Sequence, residues 1–217
     1  MKLAIFDLDN TLIGGDSDYL WGKFLCKNGF VNQKTHSTEH ERYYKDYKAG
    51  VLDIRKFLEF QLQPLANVNP EILSARRKQY IDEMIRPILL DKARDLITDH
   101  RQQGHVLLII TATNRFITEP IAELFDINNL IASDAEMKNG YYTGKPAGIP
   151  SYAAGKITRL QSWLEEHNYR PDETWFYSDS RNDLPLLNMV DHPVAVDPDE
   201  ILKKEAVKKG WPVISLR

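Results

Sequence analysis

A chain of 217 residues is long enough to bury a full core, and it fits one domain carrying a sizeable insertion. Its apolar and charged shares, 42% and 27%, are those of an ordinary globular protein, which excludes a disordered or membrane-embedded chain. The formal charge of −3 removes any general attraction to nucleic acid or an anionic lipid surface, so only a local positive pocket stays open.

The chain opens on an apolar, strand-like run, Lys2-Leu3-Ala4-Ile5-Phe6, which meets Asp7. No charged start followed by a long apolar stretch and a small-residue cleavage site is present, so a cytoplasmic protein is expected. From about Asp16 to Ile85 the chain is far too long for a strand-to-helix loop and carries helical patterns such as Asp53-Ile54, Phe57-Leu58, Leu62 and Leu65. A small helical subdomain inserted after the first strand accounts for it. Cys26, the single cysteine, sits in an apolar run and reads as a buried structural thiol. Tyr43, Tyr44 and Tyr47 suit either core packing or the aromatic wall of a pocket. Asn69-Pro70-Glu71 is a helix start with proline at its first position.

After Gly104, which stands at a helix C-terminus, the expected strands cover residues 105–110, 129–132, 174–177 and 193–196, with residues 3–6 as the first. A helix follows over residues 115–124, and another carries Ile157, Leu160, Trp163 and Leu164. The end of the chain adds a helix and a last strand at 211–216. Strands alternating with helices predict an α/β fold, a parallel sheet flanked by helices. Three strands run directly into polar residues: Asp7-Leu8-Asp9, Thr111-Ala112-Thr113 and Ser178-Asp179. Ligands of open α/β sheets bind beyond the carboxyl ends of strands, so these residues converge where a site belongs.

The chemistry of each segment narrows the reading. Two carboxylates as close as Asp7 and Asp9 resist joint ionisation unless a cation or proton intervenes. Mg²⁺ is the usual hard ion beside phosphates. Asp179 is placed to complete a metal site, Asp183 to support it or bind through water, and Asn182 to orient a carboxylate. The same stretch also suits the first turn of a helix starting near Leu184. The hydroxyl of Thr111, at a strand end before a helix, suits phosphate oxygens, and equally a helix N-cap. Lys156 opens an amphipathic helix. It is not part of a nucleotide-binding phosphate loop, because Pro150 and Ile157 occupy positions that loop gives to glycine and Ser/Thr.

In order, Asp-x-Asp-x-Thr, strand-Thr, Lys and strand-Asp-x₃-Asp resemble the haloacid dehalogenase superfamily of phosphohydrolases along the whole chain. Within it the chain is most similar to the phosphoserine-phosphatase-like branch (subfamily IB), which includes bacterial histidinol-phosphate phosphatases. The resemblance implies a Rossmann-like core over residues 1–15 and 86–217 and a helical cap over 16–85. It implies a Mg²⁺-dependent phosphomonoester hydrolase acting through an aspartyl-phosphate on a small phosphorylated metabolite. Asp7 is then the nucleophile, Asp9 the general acid and base, Thr111 a phosphate ligand and Lys156 the neutralising cation. Mg²⁺ falls to Asp7, the backbone carbonyl of Asp9, Asp179 and, in support, Asp183. Thr11, Ala112 and Asn182 are expected beside the substrate. Asp16, nine residues after the nucleophile, is expected either to bind a substrate ammonium or imidazolium or to cap a helix. Among the arginines, Arg115 suits an anion, while Arg76 and Arg77 read as surface residues.

The chain departs from the pattern at Thr111-Ala112-Thr113, where phosphoserine phosphatases carry serine and two glycines, and at Ser178-Asp179-Ser180 in place of Gly-Asp-Gly. Both changes weigh against phosphoserine itself. A phosphotransferase of the same fold and a receiver-like signalling protein use similar groups. The long insertion and the paired aspartates oppose the receiver. The physiological substrate, oligomeric state and cap motion are not specified by these residues.

Overall fold

The computed structural model describes residues 1–217, the side chain of Lys48 excepted. Its centre is β1 (Lys2–Phe6), in which Leu3, Ala4, Ile5 and Phe6 are all fully buried. Alternation along this strand sends Ala4 and Phe6 to one face and Leu3 and Ile5 to the other. Each pair joins a different hydrophobic cluster. A strand buried on both faces belongs in the middle of a parallel sheet.

The chain then builds a helical layer from α1 (Ser17–Lys27), α2 (Gln33–Ala49), α3 (Ile54–Leu62) and α4 (Pro70–Tyr80). Asn69 caps α4 by accepting the Glu71 N–H at 2.7 Å, with Pro70 in the first turn. The layer leaves and rejoins the sheet at one point, where Ile13 bridges Leu89 and the Gly14 N–H donates to Ile88 O at 2.8 Å. Its own core is aromatic: Trp21 stacks on Phe24 at 5.5 Å and meets Tyr80 edge-on at 5.1 Å. That core is continuous with the cluster under Phe6.

The remaining elements are α5 (Asp91–Gln102), β2 (Val106–Asn114), α6 (Arg115–Glu123), β3 (Asn129–Lys138), β4 (Tyr141–Ala147), α7 (Ala154–Glu166), β5 (Glu173–Ser178), α8 (Leu184–Leu187), β6 (His192–Val196), α9 (Glu200–Lys209) and β7 (Val213–Ile214). The sheet order is β4-β3-β2-β1-β5-β6-β7, parallel throughout except for β4, which is antiparallel to β3. This is an α/β fold with a helical cap inserted after the first strand. Because β2 and β5 flank β1 on opposite sides, the carboxyl ends of these three strands border the switch-point crevice.

Two differences from the sequence expectation matter for the site. Strand β2 continues four residues past Ile110, through a register shift between Ile110 and Asn114. Thr111 and Thr113 therefore belong to the strand rather than to a turn. Strand β3 also runs on to Lys138 and folds back as β4, a hairpin whose alternation is too polar to stand out in sequence. That hairpin supports the helical layer: the Asn67 N–H donates to Tyr142 O at 2.9 Å.

Candidate active site

The end of β1 is pinned before it turns, because the Asp7 N–H donates to Tyr177 O at 2.9 Å. The chain then winds tightly: the N–H groups of Thr11, Leu12 and Ile13 all point to Leu8 O, and Asn10 takes a positive φ of 56°. Asparagine is one of the few side chains that tolerate this conformation. Asp7 is thereby held at the strand tip, buried, and one of its oxygens, Oδ1, accepts from Lys156 Nζ at 2.9 Å. Lys156 is 3% exposed, and its ammonium also meets Asp183 Oδ2 at 2.7 Å.

Lys156 reaches this position because α7 starts tight against the preceding loop. A Cβ on Gly155 would lie 2.2 Å from Pro150 O, so that residue can only be glycine at this approach. Ala153 just before it is forced to φ 48°, ψ −123°. Asp183 is fixed by Ser178 Oγ at 2.7 Å. Its Oδ2 is thus shared by the lysine and the serine, which makes Asp183 a buttress of Lys156.

Asp9 is half-buried and held on both sides. Oδ1 accepts the Ser17 N–H at 2.7 Å, and Oδ2 accepts Thr113 Oγ1 at 2.8 Å and Thr111 Oγ1 at 3.4 Å. Thr113 was not singled out in sequence. It shares a face with Thr111 only if the strand continues past Ile110, and the apolar run gave no sign of that.

Several expected contacts are placed elsewhere. Thr11 is fully buried beneath the site, where it donates to Asp179 Oδ1 at 3.3 Å and accepts the Asp179 N–H at 3.1 Å. It ties two loops together and does not face the cavity. Asn182 lies in the cavity wall, but its Nδ2 is buried and has no hydrogen-bond partner among the described residues, so it orients no carboxylate there. Ala112 also lines the wall, with its carbonyl accepting Ser133 Oγ at 2.7 Å. Arg115 turns away to Asp134 at 2.8 Å, Arg76 covers the Phe30 ring at 3.9 Å, and Arg77 donates to Phe116 O at 3.0 Å. The cavity arginine is instead Arg181. Cys26 is half-buried and lines the cavity, not the core, because its helix presents that face to the opening.

The cavity has a volume of about 1320 Å³ and joins the strand ends to the inner face of the helical layer. Asp7, Asp9, Thr111, Lys156, Asp179 and Asp183 line its floor. Tyr43, Tyr44 and Tyr47 line its roof, and Tyr47 Oη hydrogen-bonds Ser180 Oγ at 2.9 Å across the opening. Asp16 caps α1 through the Tyr19 N–H at 2.9 Å and also lines the cavity. Asp18 is buried at 4% exposure beside them and accepts Asn114 Nδ2 at 3.3 Å.

The floor is charged against its will. Burial pushes Asp7 up to about 7, opposed by Lys156 and reinforced by Asp183 and Asp9. Burial and then Asp7 raise Asp179 well above the usual carboxylate range. Asp16 is pushed to about 7 by burial and the Asp9 charge, and Asp18 rises for the same reason together with Asp16. One lysine does not neutralise this many carboxylates, so the site favours a further cation. Among the described residues, no three His, Cys, Asp or Glu side chains converge as a metal cluster. Mg²⁺ does not need one: it is commonly held by one or two carboxylates, with waters and substrate phosphate completing an oxygen shell. Asp7 and Asp179, with the Asp9 carbonyl, fit that donor set.

Comparison with known proteins agrees with this architecture. Residues 4–188 match the family model for haloacid dehalogenase-like hydrolases. The chain is 46% identical to a histidinol-phosphatase of Neisseria meningitidis, across 100% of this chain and 99% of that protein. It superposes with TM-score 0.94 on a Bordetella pertussis crystal structure of unknown function, at 38% identity and covering 100% of this chain and 99% of that one. A structure of phosphoserine phosphatase as its phospho-aspartyl intermediate analogue gives TM-score 0.71 at 18% identity, covering 100% and 93%, which is a likeness of fold. Phosphatases of this family generally use Mg²⁺. A Rossmann-like sheet with a helical cap, a whole-chain match and polar and acidic residues gathered at three strand ends lead to one conclusion: this chain belongs to the haloacid dehalogenase-like hydrolase family, as a phosphatase.

Proposed function

We propose that the chain is a Mg²⁺-dependent phosphomonoesterase that forms an aspartyl-phosphate on Asp7. Its substrate is a small phosphorylated alcohol bearing an amino group, of the histidinol phosphate or phosphoserine kind. The observation that carries this reading is the meeting of Asp7, Asp9, Thr111, Lys156 and Asp179 at one end of one cavity. The whole-chain likeness to a protein named for histidinol phosphate supports the substrate class.

Asp7 attacks with the oxygen that Lys156 does not hold: Oδ1 is taken by the ammonium, and Oδ2 is directed to phosphorus. As the new Asp7–phosphorus bond forms, the ester oxygen leaves and receives its proton from Asp9. Asp9, now a carboxylate, takes a proton from the water that attacks phosphorus, which frees Asp7 and inorganic phosphate. Thr111, with backbone N–H groups near Ala112, holds equatorial phosphoryl oxygens, and Lys156 balances their charge. Asp7, the Asp9 carbonyl and Asp179 would hold Mg²⁺, which supplies positive charge against the phosphoryl oxygens. Thr113 and the Ser17 N–H keep Asp9 in place for both proton transfers. Asp16 receives the substrate ammonium. Asn182, whose Nδ2 has no partner among the described residues, offers a donor to the bound substrate. The catalytic core covers residues 1–15 and 86–217 and the cap residues 16–85, in a cytoplasmic enzyme. Among the described residues no helix is long and apolar enough to cross a membrane.

The test is phosphate release from a panel of small phosphomonoesters with Mg²⁺, run on the wild type and on Asp7→Asn. The variant is expected to keep its fold and lose turnover. Wild-type turnover in homogeneous Asp7→Asn protein removes Asp7 as nucleophile.

A further inference from the structure

Two imidazoles in the cavity wall have no part in the chemistry above. His36 and His40 lie one turn apart on α2, are 6% and 7% exposed, and line the cavity. Neither ring makes a hydrogen bond among the described residues. Both ring nitrogens of His36 and Nε2 of His40 are buried without a partner. Each unsatisfied buried polar atom costs about 1–3 kcal/mol, so folding alone does not account for three of them in two turns of one helix. Packing alone would be better served by phenylalanine, as at Phe60, whose ring lies tilted against His36 at 4.7 Å.

The surroundings make room for these rings and keep them uncharged. Gly22 of α1 faces them: a Cβ there would lie 3.0 Å from His36 Cε1 and 3.5 Å from His40 Cδ2. Burial lowers His36 and, with His36 beside it, takes His40 down to about 4. At neutral pH each ring therefore presents one N–H donor and one lone pair.

Their position along α1 sets a length. Tyr19, whose ring is 5.0 Å from His40, and Gly22, opposite His36, follow Asp16 by three and six residues. At 1.5 Å per residue these levels lie about 4–5 Å and 9 Å beyond Asp16 along the helix. Asp16 itself stands next to the Asp9 that faces the leaving oxygen. From the phosphoryl end outward the cavity thus presents a carboxylate, then an aromatic ring, then two neutral imidazoles, over the span of a short carbon linker and a five-membered ring.

We propose that His36 and His40 form the subsite that selects the leaving group, accepting an uncharged nitrogen heterocycle of the imidazole class attached to the amino alcohol. Such a ring carries one donor and one lone pair, enough to satisfy one orphaned nitrogen on each histidine, and it lies beside Tyr19. Histidinol phosphate belongs to this chemical class; an amino-alcohol phosphate without a ring leaves the subsite unsatisfied. The inference rests on the phosphatase reading and extends it to specificity.

The test compares kcat/KM for histidinol phosphate with that for 2-aminopropyl phosphate, in the full chain with Mg²⁺. The wild type is expected to favour the ring-bearing ester by at least about 100-fold, as sites built to hydrogen-bond a group reject analogues lacking it. His36→Phe and His40→Phe, which keep ring volume and stacking, are each expected to lower that ratio about tenfold, chiefly through KM. Their unfolding midpoints should equal or exceed the wild type's, because unsatisfied polar atoms are removed. An unchanged ratio in the folded variants overturns the subsite, as does a stability loss with selectivity intact. Should a variant fail to fold, product inhibition of the wild type decides: histidinol must inhibit more strongly than 2-aminopropanol, and equal inhibition overturns the proposal. Phosphate release from no ester of the panel overturns both the subsite and the phosphatase reading. Asp7-dependent release with a flat ratio overturns the subsite alone.

Discussion

Replacing Lys156 with methionine tests the electrostatics of the floor directly. The ammonium is 2.9 Å from Asp7 and 2.7 Å from Asp183, and it is almost completely buried. At an effective dielectric constant near 20, each contact is worth about 6 kcal/mol of Coulomb attraction. Desolvating the three ions costs several kcal/mol apiece, so the intact cluster adds little net stability. Truncation is another matter, because it leaves two carboxylates in a dry site with no cation. Lys156→Met is therefore expected to destabilise the metal-free protein by about 3–5 kcal/mol. Asp183→Asn leaves Lys156 paired with Asp7 and should cost about 1–3 kcal/mol. The double variant should cost less than the sum, by about 2 kcal/mol, since the second change removes one of the charges stranded by the first. Urea denaturation of the four proteins in chelator-treated buffer measures every term. A loss below about 1 kcal/mol for Lys156→Met, or strict additivity, would refute the view that this lysine holds the carboxylates in place.

Two further predictions concern strain and protonation. Ala153 holds φ 48°, ψ −123°, a conformation nearly reserved for glycine, immediately before the turn that presents Lys156. Ala153→Gly should raise stability by about 1 kcal/mol, the relieved strain exceeding the added freedom of the unfolded chain; a lower urea midpoint contradicts this. On the other side of the sheet, His100 Nδ1 and His105 Nδ1 share a hydrogen bond of 2.7 Å, and His100 Nε2 meets Tyr177 Oη at 2.8 Å. Burial, followed by the His105 charge, takes His100 from 6.5 down to about 4. The unfolded chain then binds the extra proton first, so stability present above pH 6.5 is lost as the pH falls towards 4, by about 3 kcal/mol. His100→Phe should flatten the stability profile across that window, and an unchanged profile counts against it.

The fold was legible because its signals are local. An apolar strand ending on two aspartates, a proline-started helix and alternating strand and helix periods each point to their element without tertiary help. What escaped depended on neighbours. The four added residues of β2 and the β3–β4 hairpin take their conformation from sheet pairing and from the cap they support, and Thr113 went unnoticed with them. The reading of Thr11 failed for a similar reason. Its motif position identifies a functional loop, but only the packing of that loop on β5 shows that the hydroxyl points beneath the site to Asp179. Arg115 likewise carries the right charge for an anion, and Asp134 takes it.

The floor and the roof of the cavity also differ in how sequence encodes them. Floor residues sit at strand ends, where the backbone of a parallel sheet determines position to within a hydrogen bond. Asp7 and Asp179 are therefore tied to neighbouring strands by their own N–H groups or an adjacent hydroxyl. Roof residues lie on one stripe of α2, Gln33, His36, His40, Tyr43, Tyr44 and Tyr47, whose spacing resembles that of any packed helix face. Nothing in such a stripe distinguishes core from cavity until burial and missing partners are seen together. Tyr47 Oη links the two halves directly through Ser180 Oγ, adjacent to Asp179. Chemistry at the floor and selection at the roof are thus carried by separate residues on separate elements. A change in the α2 stripe can alter which leaving group is accepted without moving a strand end that acts on phosphorus.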